Sequence, residues 1–330
     1  MKVVIATPFY PPQSGVLATY AAGFEKAFKK QGHETVVIAS RNSLPPGIRH
    51  IAYAIRTFRA LRDASFVLAL DTWSVGLPAL IAAKMHRVPC AVRIGGDFLW
   101  ESYIARTGES ILLSEFYTEP RRFSLKEKMI FSGTRYLTKH AAALLFTTRF
   151  QKDLWEKAYA IPAERSHIIE NYFPPVVGTH LPAKGPLLVC AGREIGLKNT
   201  ALLKRVVARL ANDHPGLELD TRFLPPREHS RRVAEAHAVV IASISEVCSN
   251  TAIDAVVLGK PFICPKDTGT SERLGECGLF IDTRSESALT EAIESILDPN
   301  TYTRLAGAAR AFSFTHSWEH MAEEIIAVKK

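Results

Sequence analysis

The sequence predicts an α/β protein built from two doubly wound domains, and three observations support this fold class. Short apolar, β-branched runs alternate with stretches of helical period along the chain. The alternation breaks at residues 171–186, which hold four prolines and two glycines, and then restarts. The chain has 330 residues, enough for two domains of roughly 100 to 200 residues each. Such alternation is typical of crossover units and of parallel sheets covered on both faces.

The first half of the chain supplies one complete set of alternating elements. It begins with the run KVVIAT at residues 2–7, followed by a stretch of helical period at 15–31. The further predicted strands are 34–40, 65–71, 89–94 and 142–148, and the further predicted helices are 47–62 and 75–86. Each strand is a short run of Val, Ile, Leu and Ala, and each helix spaces its apolar residues by three or four positions. We therefore predict an N-terminal Rossmann-like domain over residues 1–175.

The second half repeats the pattern. Its predicted strands are 187–193, 217–224, 238–243, 261–265 and 278–282, and its predicted helices are 199–213, 228–236 and 250–258. We predict a C-terminal Rossmann-like domain over residues 176–314, with the last helix, in 315–330, crossing back to the first domain. Two such domains are expected to face each other across a cleft, because ligands of open α/β sheets bind at the C-terminal ends of the strands.

Composition narrows the class of protein. Five cysteines without a C-x-x-C pair favour reduced thiols in a cytosolic protein. The first apolar run is too short for a signal peptide, and no run approaches the roughly 18 apolar residues of a membrane span. The chain has 41 Lys and Arg against 33 Asp and Glu, a net charge of +8. This excess favours anionic partners such as nucleotide phosphates or an acidic membrane surface, and no motif of a nucleic-acid-binding protein is present.

A first candidate site follows the first strand of the second half. In GREIGLK, Arg193 and Lys198 flank a glycine-containing turn at the C-terminal end of that strand. Two cations in this place can hold a diphosphate. The alternative is that both are solvated loop charges.

A second candidate site is the stretch SEVCSNTAIDAVVLGKP, residues 245–261. Ser249, Asn250 and Thr251 are good N-cap residues for the helix that follows, and a helix N-terminus favours a phosphate group. Glu246 precedes this helix and Asp254 lies in its first turns. A carboxylate accepts two hydrogen bonds, so acids beside an anion site suit the vicinal hydroxyls of a sugar.

These residues resemble a known family. Glu246 with Asp254 eight positions later, followed by Gly259-Lys260-Pro261, resembles the E-x7-E and G-x-P signature of glycosyltransferase family 4. That family consists of retaining nucleotide-sugar enzymes of GT-B architecture. Arg193 and Lys198 match its diphosphate-binding Arg and Lys, and TPFYPPQSG, QGHETVVIA and GLFID fit its pattern in the right order. The resemblance covers nearly the whole chain and is looser in the N-terminal half.

The resemblance implies roles for the matching residues. Glu246 would hold the hydroxyls of the donor sugar, and Asp254 the ribose hydroxyls of the nucleotide. Arg193 and Lys198 would neutralise the diphosphate leaving group, helped by backbone N–H groups near Asn250 and Thr251, and the domain of residues 1–175 would lie on the acceptor side. Gly15 would let the first loop approach the phosphate closely, since it has no Cβ.

Three departures from the family pattern stand out. The second acid is Asp254 rather than Glu, one methylene shorter, and the first loop reads Gly15-Val16 where two glycines are common. Where many members carry a His, this chain reads RIGGDFLWE and places Asp97. Asp97 is a candidate catalytic base or hydrogen-bond anchor near the acceptor. The alternative is that it caps a turn.

Two basic segments bear on localisation. Residues 49–63 place Ile51, Ile55, Phe58 and Leu61 on one helix face and three arginines on another. A basic amphipathic helix can lie on an anionic membrane, but its apolar face more often covers a sheet. Residues 119–128 add a second basic cluster. Peripheral contact with the inner face of the cytoplasmic membrane is therefore one option for an otherwise cytoplasmic protein.

The function predicted from these features is retaining transfer of a sugar from a nucleotide diphosphate sugar, such as a UDP- or GDP-sugar, to an acceptor hydroxyl. The acceptor would be a glycan or a lipid-linked sugar in bacterial-type glycan, glycolipid or polysaccharide synthesis. We expect Glu246, Asp97, Arg193 and Lys198 to be catalytic. The absence of a D-x-D motif predicts no metal, and we expect no cofactor and no nucleic-acid partner. Two alternatives stay open, a nucleotide-sugar epimerase of the same architecture and a degenerate sugar-nucleotide binding protein.

Overall fold

The computed structural model describes residues 1–13, 15–40, 45, 47–177, 183, 185–190 and 196–328. The chain divides into two compact units. The first comprises Met1–Leu99, Arg122–Tyr172 and His316–Lys330, and the second comprises Trp100–Arg121 and Phe173–Thr315. The predicted fold class, α/β with two doubly wound parallel sheets, is confirmed.

The first unit is a six-stranded parallel sheet covered by helices. Its strands are β1 (Lys2–Thr7), β2 (Glu34–Ala39), β3 (Phe66–Ala69), β4 (Cys90–Ile94), β5 (Ala143–Phe146) and β6 (Ser166–Ile168). Its helices are α1 (Val16–Lys30), α2 (Ile48–Ala60), α3 (Gly76–His86), α6 (Leu125–His140), α7 (Arg149–Tyr159) and α14 (Trp318–Ala327). The strand order is β2-β1-β3-β4-β5-β6, so the direction of winding reverses next to β1. Loops after β1 and β3 therefore emerge at a switch point of the sheet.

The second unit is a five-stranded parallel sheet in the order β11-β10-β9-β7-β8. Its strands are β7 (Leu187–Val189), β8 (Glu218–Asp220), β9 (Ala238–Val240), β10 (Phe262–Pro265) and β11 (Gly278–Ile281). Its helices are α8 (Thr200–Leu210), α9 (Pro226–Glu235), α10 (Asn250–Val257), α11 (Ser271–Leu274), α12 (Glu286–Leu297) and α13 (Pro299–Ala311). Two apolar clusters of buried residues cover the two faces of this sheet.

The segment Trp100–Arg121 groups by its contacts with the second unit, whereas the sequence analysis placed it in the domain 1–175. It holds most of α4 (Phe98–Thr107) and all of α5 (Leu113–Phe116). Arg284 attaches it, because one guanidinium nitrogen donates to the Ser110 carbonyl oxygen at 3.3 Å and lies 3.5 Å from the Glu115 carboxylate. Sequence position alone places this segment between elements of the first sheet, and only these long-range contacts reassign it.

The C-terminal helix α14 packs on α1 of the first unit. Met321, Ala322 and Ile325 lie fully buried in the same apolar cluster as Phe24 and Phe28. The indole of Trp318 stacks on Tyr172, with ring centroids 4.4 Å apart, and meets Tyr20 edge to face at 4.9 Å. The end of the chain thus completes the core of the first domain.

Gly23 in α1 makes this packing possible, and its replacement gives a first prediction. A Cβ at position 23 would lie 2.5 Å from the Trp318 ring, so Gly23→Ala overpacks the contact between α1 and α14. We expect a loss of about 1–3 kcal/mol in the free energy of unfolding. Gly307→Ala in α13 is the matched control, because a Cβ there meets nothing within 4 Å.

The control should gain up to about 1 kcal/mol, since Ala is the better helix former. Urea unfolding of both variants measures the difference. Equal stabilities for the two variants would contradict the close approach of α14 to α1.

Helix α2 presents a different face to the sheet from the one predicted. Tyr53, Thr57 and Leu61 are buried, at 2%, 0% and 1% exposure, and the Tyr53 hydroxyl donates to the Ile38 carbonyl oxygen at 2.7 Å. Ile51, Ile55 and Phe58 are exposed. The predicted grouping of Leu61 with these three is therefore wrong, and the interpretation that their face covers the sheet is also wrong. The buried face of α2 is the one from which the Tyr53 hydroxyl reaches a carbonyl oxygen of β2.

Candidate functional site

The candidate site lies at the C-terminal edge of the second sheet. The chain leaves β7 at Cys190 and leaves β9 at residues 241–243, and these two strands are neighbours. A small pocket at this edge is lined by Cys190, Ser243, Lys198, Glu246 and Thr251, among others. Parallel strands bring their following loops to one edge, and this is where open α/β sheets bind ligands.

Lys198 and Glu246 form an ion pair in this pocket. Their Nζ and Oε1 atoms are 2.6 Å apart, and the side chains are 32% and 17% exposed. The Ser243 hydroxyl donates to the same carboxylate oxygen at 2.6 Å. The loop that carries Glu246 is also bonded to the turn that carries Lys198, because the Ile244 N–H donates to the Leu197 carbonyl oxygen at 3.0 Å. The structure thus brings the predicted diphosphate cation and the predicted hydroxyl-binding acid into direct contact.

The ion pair sets the charge of Lys198. Burial by itself lowers the pKa of this ammonium. The charge of Glu246 and the hydrogen bond to it raise the pKa by more than burial lowers it, so the pKa lies above the ordinary value. Glu101, from the segment Trp100–Arg121, contributes in the same direction. Lys198 is therefore a fixed positive charge at neutral pH, and the chain already supplies an anion beside it.

The helix α10 begins at the same pocket. Ser249 is its N-cap residue, with the side-chain oxygen accepting from the Ala252 N–H at 3.3 Å. Asn250 and Thr251, predicted as capping residues too, are instead the first two residues of the helix, and Thr251 lines the pocket. The Ser249 N–H donates to the Thr270 hydroxyl at 2.9 Å, which fixes the start of the helix. The positive end of the helix dipole therefore lies beside Lys198, as an anion site requires.

Asp254 lies further along α10 and faces α9. Its side chain is 52% exposed, and its Oδ2 atom lies 3.9 Å from Nε2 of His229. The neighbouring Ile253, Ala255 and Val256 are buried, so the apolar residues around this acid form the back of the helix. Asp254 is thus held on the open side of α10, next to a histidine that the sequence analysis did not select.

The loop that carries Glu246 is braced from two directions. The Glu246 N–H donates to the Asp267 carbonyl oxygen at 3.1 Å. Ser245 accepts from the Leu113 N–H at 2.9 Å, and the Asp267 carboxylate accepts from the Ser114 N–H at 3.3 Å. Sequence reasoning missed Ser245 and Asp267. Both residues follow the ends of strands, which was a signal. Their partners Leu113 and Ser114, however, lie more than a hundred positions away.

The remaining predicted residues lie elsewhere. Gly15 precedes α1 in the first unit with φ of 134°, a backbone conformation that favours glycine, and a Cβ there would meet nothing within 4 Å. Asp97, also in the first unit, is only 2% exposed and accepts a hydrogen bond from the Trp155 indole at 3.1 Å. Arg193 lies outside the described residues. The roles proposed for these three residues stay predictions.

The described residues have two further features. They contain no group of three His, Cys, Asp or Glu side chains placed to hold a metal ion. None of their helices combines the length and the apolar character that crossing a membrane requires.

Comparison with known proteins relates this geometry to a family. Residues 172–299 match the family model described as Glycosyl transferases group 1. The D-inositol 3-phosphate glycosyltransferase of Acidothermus cellulolyticus is 24% identical over 185 residues, which cover 45% of this chain and 41% of the relative. A second relative of the same name, from Rhodococcus jostii, is 31% identical over 117 residues, covering 34% of this chain and 26% of the relative. The chain thus spans less than half the length of these curated relatives.

Solved structures match over nearly the whole chain. Sucrose-phosphate synthase from Thermosynechococcus elongatus superposes with a TM-score of 0.73 and 14% identity, covering 99% of this chain and 97% of that one. The Anabaena protein HepE in complex with UDP and glucose superposes with a TM-score of 0.71 and 12% identity, covering 99% and 98%. At these identities the likeness establishes the fold. The chain therefore has the GT-B fold, and its residues 172–299 match the model of the glycosyl transferases group 1 family.

Proposed function

We propose that this chain transfers a sugar from a nucleotide diphosphate sugar to an acceptor hydroxyl, with retention of the anomeric configuration. The observation that carries the proposal is the Lys198–Glu246 pair at the start of α10, where a cation, a carboxylate and a helix N-terminus meet in one pocket. The cation and the helix N-terminus suit the diphosphate of a nucleotide sugar, and the carboxylate beside them can accept hydrogen bonds from the hydroxyls of the sugar.

Lys198 takes the diphosphate in this proposal. Negative charge builds on the departing nucleoside diphosphate as the glycosidic bond breaks, and a fixed cation stabilises that charge more in the transition state than in the ground state. The N-terminus of α10, capped by Ser249 and opened by Asn250 and Thr251, adds to the positive potential. Arg193 is the proposed second cation. Because side chains supply this charge, we propose that transfer needs no metal, and addition of EDTA should leave the rate unchanged.

Glu246 takes hydroxyls of the donor sugar. In the free protein one of its oxygens accepts from Lys198 and Ser243. A bound diphosphate competes with Glu246 for the Lys198 ammonium, and sugar hydroxyls then replace the ammonium as donors to the carboxylate. Before the ligand binds, the Lys198 ammonium and the Glu246 carboxylate therefore neutralise each other's charge and satisfy each other's hydrogen bonding.

Gly15 and Asp97, both in the first unit, are the remaining residues of the proposal. Gly15 gives the first loop a backbone conformation that other residues rarely adopt, which suits close approach to a ligand. Asp97 is buried against Trp155, which favours an anchoring role over that of a base exposed to the acceptor. We propose a glycan or lipid-linked acceptor and a cytoplasmic site of action.

Ligand screening tests the donor assignment. UDP, GDP, ADP and their sugars should be compared by the rise in melting temperature that each produces, and the best donor should then be followed for release of nucleoside diphosphate with and without acceptors. Stabilisation together with acceptor-dependent release supports the proposal. Isomerisation of the donor without acceptor would indicate an epimerase, and binding without any turnover would indicate a binding protein. Stabilisation by none of the nucleotides would contradict the donor site.

Asp254 gives a separate prediction about the nucleotide end. If its carboxylate holds the ribose hydroxyls, Asp254→Asn should weaken nucleoside diphosphate binding by about tenfold, as expected for a lost charged hydrogen-bond acceptor. Binding of inorganic pyrophosphate should not change, because pyrophosphate has no ribose. His229→Gln is the matched variant, since it removes the imidazole 3.9 Å away but keeps the acid. Calorimetric titration measures both ligands, and equal losses for the two ligands in Asp254→Asn would contradict the ribose role.

A further inference from the structure

Three helices on one side of the first unit expose apolar side chains. On α2 these are Ile48, Ile51, Ile55 and Phe58, which are 58%, 64%, 48% and 38% exposed. On α3 and α6 they are Ile81, Met85, Leu125, Met129 and Tyr136, and Leu125 reaches 80%. Each helix already has another face in the core, so these residues are not needed to cover the sheet. We refer to the nine residues as the outer apolar face.

The three helices are neighbours, so the residues of the outer apolar face lie on adjacent helices. Phe58 of α2 packs against His86 of α3, with ring centroids 4.2 Å apart. Lys84 of α3 donates to the Tyr136 hydroxyl of α6 at 3.3 Å and lies over its ring. Groups of exposed apolar residues on adjacent elements mark contacts with a partner or a membrane, whereas apolar residues exposed singly are ordinary.

The three helices that carry this face are rich in positive charge. The three helices contain eight Lys and Arg residues and one acid, Glu127. Glu127 is 2% exposed and accepts the Ser124 N–H at the start of α6, so it does not face solvent. The exposed cations include Arg59, Lys128 and Arg135. These helices therefore combine exposed apolar side chains with exposed positive charge.

This combination distinguishes between possible occupants. A second copy of the chain, docked through the same face by twofold symmetry, would set these cations against each other, which is unfavourable. Nucleic acid would satisfy the charge, but recognition of bases uses aromatic stacking and hydrogen-bonding side chains rather than Ile, Leu and Met. An anionic bilayer satisfies both features, because its headgroups pair with Lys and Arg and its acyl boundary takes the apolar side chains.

We propose that the outer apolar face, with the lysines and arginines around it, docks the first unit on an anionic lipid bilayer. The chain lies on the surface and does not cross it. This contact is independent of the transfer reaction proposed above. Its consequence for the acceptor does rest on that reaction, because an enzyme held at a bilayer meets acceptors that are themselves lipid-linked.

Vesicle sedimentation of the full chain tests the contact without any donor. Binding is compared between phosphatidylcholine vesicles and the same vesicles containing phosphatidylglycerol. We expect binding to the anionic vesicles alone. It should weaken steeply from 0.1 M to 1 M salt, over which the screening length falls from about 10 Å to about 3 Å.

Two variants separate the apolar and the electrostatic contributions. Ile51→Ser, Ile55→Ser and Met129→Ser combined should reduce binding about a hundredfold, since each removes a large apolar side chain from the acyl boundary. Arg59→Glu with Lys128→Glu should reduce it about tenfold or more. All five positions are exposed, so the melting temperatures should stay close to that of the parent.

Matched controls lie in the second unit. Phe223→Ser removes an apolar side chain that is 68% exposed, and Arg205→Glu with Arg304→Glu makes the same change of charge at exposed positions. These controls should bind vesicles like the parent. Equal binding by the variants and their controls would overturn the proposal, as would absence of binding to anionic vesicles. Two other outcomes would also overturn it. One is that the parent forms dimers and the Ile51, Ile55 and Met129 variant does not. The other is that this variant loses binding to nucleic acid but keeps binding to vesicles.

Discussion

Replacing Glu246 by Gln is expected to reduce sugar transfer about a hundredfold to a thousandfold while nucleoside diphosphate affinity stays the same or rises. The amide keeps the size of the side chain but cannot accept hydrogen bonds at both of its terminal atoms. Sugar hydroxyls therefore lose a charged acceptor placed beside the reacting carbon, and loss of one such group typically costs this much in rate. The loss should appear in kcat as well as in kcat/KM if the contact strengthens in the transition state.

The unchanged or tighter diphosphate binding follows from the ion pair. In the free protein the Lys198 ammonium is 2.6 Å from the Glu246 carboxylate, so a phosphate has to compete with that carboxylate. Glu246→Gln removes the competitor and leaves the cation. Calorimetric titration with UDP or GDP and a transfer assay on the same protein measure the two effects. Glu276→Gln, an exposed acid in the same unit, is the control and should change neither. A loss of diphosphate affinity equal to the loss of transfer would contradict the separate roles of the two residues.

Replacing Lys198 by Met is expected to weaken nucleoside diphosphate binding by about tenfold to a hundredfold and to lower transfer by more. The stem of the side chain is retained, but the charge that meets the leaving group is lost, and a hydrogen bond to a charged group contributes about 1.5–3 kcal/mol. The Glu246 carboxylate is then left facing the diphosphate without a counterion, which adds repulsion. Lys204→Met, at an exposed lysine of α8, is the control and should bind like the parent.

The double variant, Lys198→Met with Glu246→Gln, isolates the repulsion. If the carboxylate repels the ligand in Lys198→Met, adding Glu246→Gln should restore part of the lost affinity but none of the transfer. Strictly additive losses of affinity would show that the two side chains act independently in solution. The ion pair between Lys198 and Glu246 would then have no effect on diphosphate binding.

Local patterns carried much of the prediction. The alternation of β-branched runs and helical periods located every strand of both sheets except β6 (Ser166–Ile168), because strand and helix formation depends on residues a few positions apart. The start of α10 was predicted for the same reason, since Ser249 caps it through an N–H only three residues away. The polar residues at the ends of strands could also be located, because parallel strands present them at one edge.

Contacts between distant segments could not be predicted in this way. Lys198 and Glu246 are 48 positions apart, and no periodicity indicates that they touch. The hydrogen bonds from Leu113 to Ser245 and from Ser114 to Asp267 span more than 130 positions, and they join the segment Trp100–Arg121 to the second unit. The partner of Asp254, His229, was missed because it comes from another helix.

The sequence by itself determined the fold class, the two parallel sheets and the identity of the charged residues at the edge of the second sheet. These features depend on residue spacing and on local capping, which are properties of short segments. Only the tertiary structure decided which charges pair and which face of α2 is buried. The helical period places Ile51, Ile55 and Phe58 on one face of α2, but the buried face is that of Tyr53, whose hydroxyl donates to the carbonyl oxygen of Ile38. The stripe of Ile51 and Ile55 is left outside, since one helix can present only one face to the sheet.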